Sequence, residues 1–154
     1  LNLVIELFYV SLFKNKTEYS KIKIITMKNK ITAVQTFHEA FGLGMKDSPT
    51  ANLDAHKNLL RYKLMREENE EYLDAANNKD LVEVADALGD MLYILCGTII
   101  EHGMQHKIEE VFNEIQKSNM SKLGADGKPI FREDGKVLKG PNYFKPDIKT
   151  ILDR

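Results

Sequence analysis

From Lys30 onward apolar residues recur at helical rather than strand spacing, and glycines and capping residues divide them into four helices. The first is expected over residues 30–41, with Gly42 and Gly44 placed to end it. Lys46-Asp47-Ser48-Pro49-Thr50 reads as a loop that carries capping residues for a second helix, residues 53–76. Asn77-Asn78-Lys79 reads as a turn, and Asp80 as the cap of a third helix, residues 81–102, which Gly103 ends. A fourth helix covers residues 104–119. Past Lys122 the periodicity gives way to glycines and prolines, and the segment from Phe131 to Leu138 reads as a short β-hairpin around Asp134-Gly135. The expected architecture is all-α, a four-helix-bundle-like core followed by a C-terminal arm containing that hairpin.

The acids on the second and third helices do not fall where a solvated face would put them. At ~100° per residue, Leu53, Leu60 and Leu64 form a narrow stripe, and its continuation runs through Glu68, Glu71 and Ala75, with Glu67 at its edge and Glu70 outside it. On the third helix Glu83, Asp86 and Asp90 share one face and lead into Met91-Leu92-Tyr93-Ile94-Leu95-Cys96, which is apolar all round and so reads as central. The short turn between these helices makes them antiparallel neighbours. Carboxylates facing one another in a partly buried space repel and are hard to ionise unless a cation sits among them. No Lys or Arg lies on the third helix between Glu83 and Glu101, and an all-oxygen donor set suits a hard divalent ion.

Composition narrows the rest. The 154 residues suffice for one core, and the hydrophobic and charged fractions, 43% and 29%, are ordinary for a globular domain. A net charge of −1 gives no basic surface for a nucleic-acid polymer. Cys96 is the single cysteine, which excludes a disulfide framework and fits a reducing, cytoplasmic setting. Residues 1–13 are apolar but too short to span a bilayer, and they lack a basic leader. The first methionine is Met27, so residues 1–26 read either as an extension before a domain of residues 27–154, or as a strand or helix packing on it. No phosphate-binding glycine loop occurs; His102 and His106 stand four apart, but Gly103 and the expected helix end come between them, and no Glu-x-x-His occurs, which argues against a histidine metal site.

Glu67-Glu68-Asn69-Glu70-Glu71 followed by Glu83-Val84-Ala85-Asp86 matches a pair of acid motifs, ExxE and ExxD. With Ala85 to Tyr93, Ser118-Asn119-Met120-Ser121-Lys122, Asp126-Gly127-Lys128-Pro129 and residues 134–141, the chain resembles the all-α NTP pyrophosphohydrolases, the superfamily of MazG, dimeric dUTPases and phosphoribosyl-ATP pyrophosphohydrolase. The resemblance covers about residues 30–148. It implies hydrolysis of a (deoxy)nucleoside triphosphate, such as dUTP or a non-standard dNTP, to the monophosphate and pyrophosphate. It also implies a cofactor, one or two Mg²⁺ (or Mn²⁺) ions, with Glu68, Glu71, Glu83 and Asp86 as ligands and Asp90 beside or in place of Asp86. Glu67 or Glu68 is then the candidate to orient or deprotonate the attacking water. Asn119, Lys122, Lys136, Lys139 and Tyr143 are the candidate substrate-binding residues in the arm. A homodimer or homotetramer is implied as well, and a second apolar set on the second helix, Leu59, Tyr62 and Leu73, agrees with burial of two faces. Phosphoribosyl-ATP as substrate and a non-catalytic helical interaction module are the alternative readings.

Overall fold

The computed structural model describes residues 27–154, and in these the protein is all-α. Helix α1 spans Met27–Ala40, α2 Ala55–Asn78, α3 Leu81–Glu101, α4 Ile108–Met120 and α5 Ile148–Leu152. The extension read over residues 1–26 lies outside the described residues. No helix among those described is long and apolar enough to cross a membrane.

Local chemistry sets each boundary. Helix α1 ends in a Schellman turn, in which Gly42 takes φ 64° and Leu43 N–H returns to the His38 carbonyl at 2.8 Å. Helix α2 starts at Ala55, two residues later than its apolar pattern suggests, because Asp54 and not the 46–50 loop is its cap. The Asp54 carboxylate accepts the Lys57 N–H at 2.9 Å, whereas the Thr50 hydroxyl closes only a local turn onto Asn52 N–H. The end of α2 repeats the Schellman pattern with Lys79 at φ 58°, where glycine is usual. Asp80 follows at once and caps α3, accepting Val82 and Glu83 N–H at 3.0 and 3.2 Å. Two residues thus end one helix and start the next, and α2 and α3 pack antiparallel along their length.

Helix α3 is the central element, packed on α2 by one face and on α1 by another. Its Cys96, Ile99 and Ile100 close on Ile31 and Val34 of α1 to form the main apolar cluster, with Ile100 wholly buried. Each such aliphatic side chain contributes about 1.5–3 kcal/mol when removed from water. Tyr93 and Leu95 of the same apolar run stay substantially exposed, so α3 is not covered all round within one chain.

Met104 does not begin α4. Gly103, at φ 68°, and Met104 complete the Schellman turn of α3 by bonding back to the Ile100 and Ile99 carbonyls, and Met104 packs against the core. The fourth helix therefore starts at Ile108, which is its contact with that cluster, and the rest of α4 is held by the arm and by α5. The compact core is the α1–α2–α3 layer, with α4 joined to it at one end.

In the arm, the expected Asp-Gly turn forms but the hairpin does not develop. Gly135 takes φ 83°, and Asp134 pairs with Arg132 and accepts Lys136 N–H at 3.1 Å. Pairing stops at one antiparallel bridge, Phe131 to Val137, because both flanks are exposed and bury no apolar face. Downstream, the arm folds back along α4: Ser118 Oγ donates to the Phe144 carbonyl at 2.8 Å, and Ile151 is buried.

Candidate active site

The antiparallel pairing of α2 and α3 decides which acids meet. One stripe of α2, Arg61–Leu64–Glu68–Ala75, turns toward α3; Arg61 and Ala75 are buried, and Leu64 and Glu68 are half-buried. Of the face inferred from the leucines, Leu64, Glu68 and Ala75 turn inward, whereas Glu71 and the edge residue Glu67 are exposed. Leu60 stands exposed at 52%, and Arg61 takes the inward position because α3 offers it polar partners.

Glu68 occupies the middle of this interface. One of its carboxylate oxygens, Oε2, is buried and has no hydrogen-bond donor. Desolvation first, and then the charges of Glu71, Asp90, Glu67 and Asp86, push its carboxyl above the usual glutamate range. That set of neighbours joins two acids of the first motif to two on α3, as the facing stripes imply. Glu83 lies one turn before Asp86, in the capped first turn of α3, and is not among the charges acting on Glu68. Glu67, Glu71, Glu83, Asp86 and Asp90 are exposed in the single chain, so the acids form an open cleft rather than a buried chamber. Among the described residues no three His, Cys, Asp or Glu side chains converge into a ready-made ion-binding group. Glu68 is where the residues fit a cation: its buried oxygen has no hydrogen-bond donor, the charges of four other carboxylates act on it, and among the described residues no Lys or Arg pairs with it. Glu70, which also satisfies the ExxE spacing, faces away and pairs with Arg66 at 3.4 Å.

Further along the same α3 face, Tyr93 meets Phe37 of α1 edge-on with ring centroids 5.6 Å apart, and Phe37 lies 4.4 Å from Phe41. This partly exposed aromatic patch adjoins the acids. His38, beside it in sequence, is instead a core residue held by the Gly44 carbonyl at 3.1 Å.

The cations and polar groups expected from the arm pair among themselves. Lys122 Nζ donates to Asn119 Oδ1 at 2.7 Å, Lys139 Nζ sits 4.3 Å over the Tyr143 ring, and Lys136 is exposed. None of them forms an ion pair with the acids of α2 and α3 among the described residues. Periodicity alone missed two charged residues near the cleft. Arg61 and Glu101 are buried together on the α2–α3 interface, 3.8 Å apart between Nη1 and Oε1. The only sequence signal for them is an arginine interrupting a leucine stripe.

Residues 34–119 match the phosphoribosyl-ATP pyrophosphohydrolase family. The chain belongs to this family. The matched region contains both acid motifs and stops before the arm. The chain is also 32% identical over 98 residues to the uncharacterized protein L479 of Acanthamoeba polyphaga mimivirus, covering 62% of this chain and 35% of that protein. It thus spans about a third of the length of that relative. A solved structure from Exiguobacterium sp. 255-15, described as a candidate NTP pyrophosphohydrolase, is 28% identical and covers 82% of this chain and 95% of that one, with a TM-score of 0.44.

Proposed function

We propose that this family member hydrolyses a (deoxy)nucleoside triphosphate to the monophosphate and pyrophosphate, with Mg²⁺ held between α2 and α3. The observation that carries this reading is the buried, donorless Glu68 oxygen in the combined negative field of Glu71, Asp90, Glu67 and Asp86. Glu68, Glu71, Asp86 and Asp90 would hold the ion, with Glu83 at the α3 end of the set. When bound, Mg²⁺ supplies charge neutralisation at the phosphate oxygens, which lets a nucleophile approach the triphosphate. Glu67 or Glu68, whichever carboxylate is left free of metal, accepts the proton of the attacking water. Lys122, Lys136 and Lys139, with Asn119 and Tyr143, are assigned to the phosphates and sugar. The acid cleft repels the free triphosphate and needs cations from elsewhere. A non-catalytic helical module leaves the Glu68 arrangement without a purpose.

The matched family model favours a second substrate, phosphoribosyl-ATP. Against it stands the arm, with its Ser118–Lys122 and Asp-Gly-Lys segments, which lies largely beyond the matched residues.

Pyrophosphate release across a panel of deoxynucleoside triphosphates and phosphoribosyl-ATP, with and without Mg²⁺, tests both. Activity is expected only with Mg²⁺ and on one or more deoxynucleotides. Glu71→Gln and Asp86→Asn should each lower kcat/KM more than about tenfold, the effect of roughly 1.4 kcal/mol in the transition state, while remaining folded. Near-normal turnover by either variant at saturating Mg²⁺ removes the assignment. Phosphoribosyl-ATP as the sole substrate moves it to the second reading.

A further inference from the structure

Between the Lys79–Asp80 joint and the far end of the α2–α3 pair, the interface around the acids is thinly packed. Its only buried residues are Ala75 and Ala87, neither with a side chain beyond a methyl group, while Leu64, Met65, Val84 and Met91 are half-buried. Glu68, Glu71, Asp86 and Asp90 lie in this stretch and repel one another across it. The joint holds the helices together at one end. At the other end stands Arg61, two turns or about 10 Å along α2 from Glu68.

Its guanidinium is committed on every side. Nε donates to Thr98 Oγ1 at 3.0 Å and Nη2 to the Ile94 carbonyl at 2.7 Å, while Nη1 lies 3.8 Å from Glu101 Oε1. Thr98 Oγ1 itself donates to the Ile94 carbonyl at 2.9 Å. Lys57, one turn earlier on α2, approaches the other Glu101 oxygen at 3.7 Å. Room for the guanidinium is reserved by Gly97: a Cβ there would come within 2.8 Å of Arg61 Nη2 and 2.9 Å of His38 Nε2. A buried charge is a poor source of net stability compared with an apolar side chain of the same size, but its partners fix its geometry. Ile94 and Thr98 belong to adjacent turns of α3, so the guanidinium can bind both in one register only. A slip of one turn, about 5.4 Å, would separate Glu68 from Asp86 and Asp90.

We infer that Arg61, held by Thr98, Ile94 and Glu101, is a positioning residue: it pins α2 on α3 at the open end of the pair and so sets the spacing of the carboxylates that receive the divalent ion. The inference rests on the metal-binding reading above.

The test is Mn²⁺ binding to the full chain without substrate, followed by loss of the free-ion electron paramagnetic resonance signal, beside melting temperatures. Thr98→Val removes the Nε acceptor at almost constant volume, and Arg61→Lys keeps the charge but not the fork. Both should weaken Mn²⁺ binding roughly tenfold or more, as loss of a group supporting metal ligands does. Thr98→Ser, which keeps the hydroxyl, should bind as wild type does. Ile31→Val, which loosens the core on the α1 side, should lower the melting temperature and leave Mn²⁺ binding unchanged. Wild-type affinity in both Thr98→Val and Arg61→Lys overturns the inference, and so does equal weakening by Ile31→Val, which would make the effect one of general stability. If the wild-type chain binds no Mn²⁺, the metal assignment itself falls and takes the purpose of the pin with it.

Discussion

A carboxylate with a buried oxygen and no donor is costly to ionise, and the cost shows in how stability varies with pH. The Glu68 carboxyl is raised above the ordinary glutamate value by desolvation and by its acidic neighbours. Between that ordinary value, about 4.3, and the raised one, the folded chain holds a proton that the unfolded chain has lost. Stability of the metal-free protein should therefore be greatest below this window, fall as pH rises through it and level off above it. Glu68→Gln removes the dependence. In the presence of a chelator the variant should melt above wild type at pH 8, with the gap shrinking toward pH 4. A wild type that melts as high as the variant at pH 8 refutes this account of Glu68. The inward turn of Glu68 was legible in the helical stripe, since Glu68–Glu71 and Glu67–Glu70 have the same spacing and only the phase differs, but Glu71, expected on the same face, is exposed. The inward turn of Arg61 was not, because nothing in an i, i+3, i+4 pattern announces that an arginine will find Thr98, Ile94 and Glu101 on a helix more than thirty residues away.

Helices α2 and α3 owe their antiparallel pairing to a two-residue joint, and that joint holds an avoidable strain. Lys79 has φ 58°, where a side chain with Cβ meets the following carbonyl and costs on the order of 1 kcal/mol. Lys79→Gly should relieve it and raise unfolding stability by about 0.5–1 kcal/mol, read as a higher urea midpoint at unchanged slope. An unchanged or lower midpoint would show that the lysine stem contributes more to the turn than its backbone costs. The helix count and the Asp80 cap were legible because each rests on a local signal: a cap residue, a glycine, an apolar period. The start of α4 was not, since Met104 continues the apolar pattern while its N–H is taken by the Schellman turn of the preceding helix. The hairpin shows the opposite failure. Its turn chemistry was right, but strand pairing needs an apolar face to pack against, and Phe131 at 58% exposure has none.

At the scale of the whole molecule the fully buried apolar set is small. Nine hydrophobic residues among those described are buried, while Leu59, Tyr62 and Leu73 on the outer face of α2 are 49%, 58% and 57% exposed. Leu81 and Val82 at the start of α3 and Phe112 on α4 are more exposed still. Apolar surface on this scale is what association would cover, and the two-faced pattern of α2 is the part of it already visible in the sequence. The expected partner is a second copy of this chain, because closed homo-oligomers are the common way to cover such a face. Sedimentation equilibrium should give a mass at least twice that of one chain at micromolar concentration. Leu59→Glu places a charge in the outer α2 face, away from the acid stripe, and should shift the protein toward monomer. Association adds stability by mass action, so the melting temperature of wild type should rise with protein concentration, and that of Leu59→Glu should be lower and nearly independent of it. A wild-type chain that sediments as a monomer, with a concentration-independent melting temperature, would mean that α2 tolerates its exposed leucines unaided.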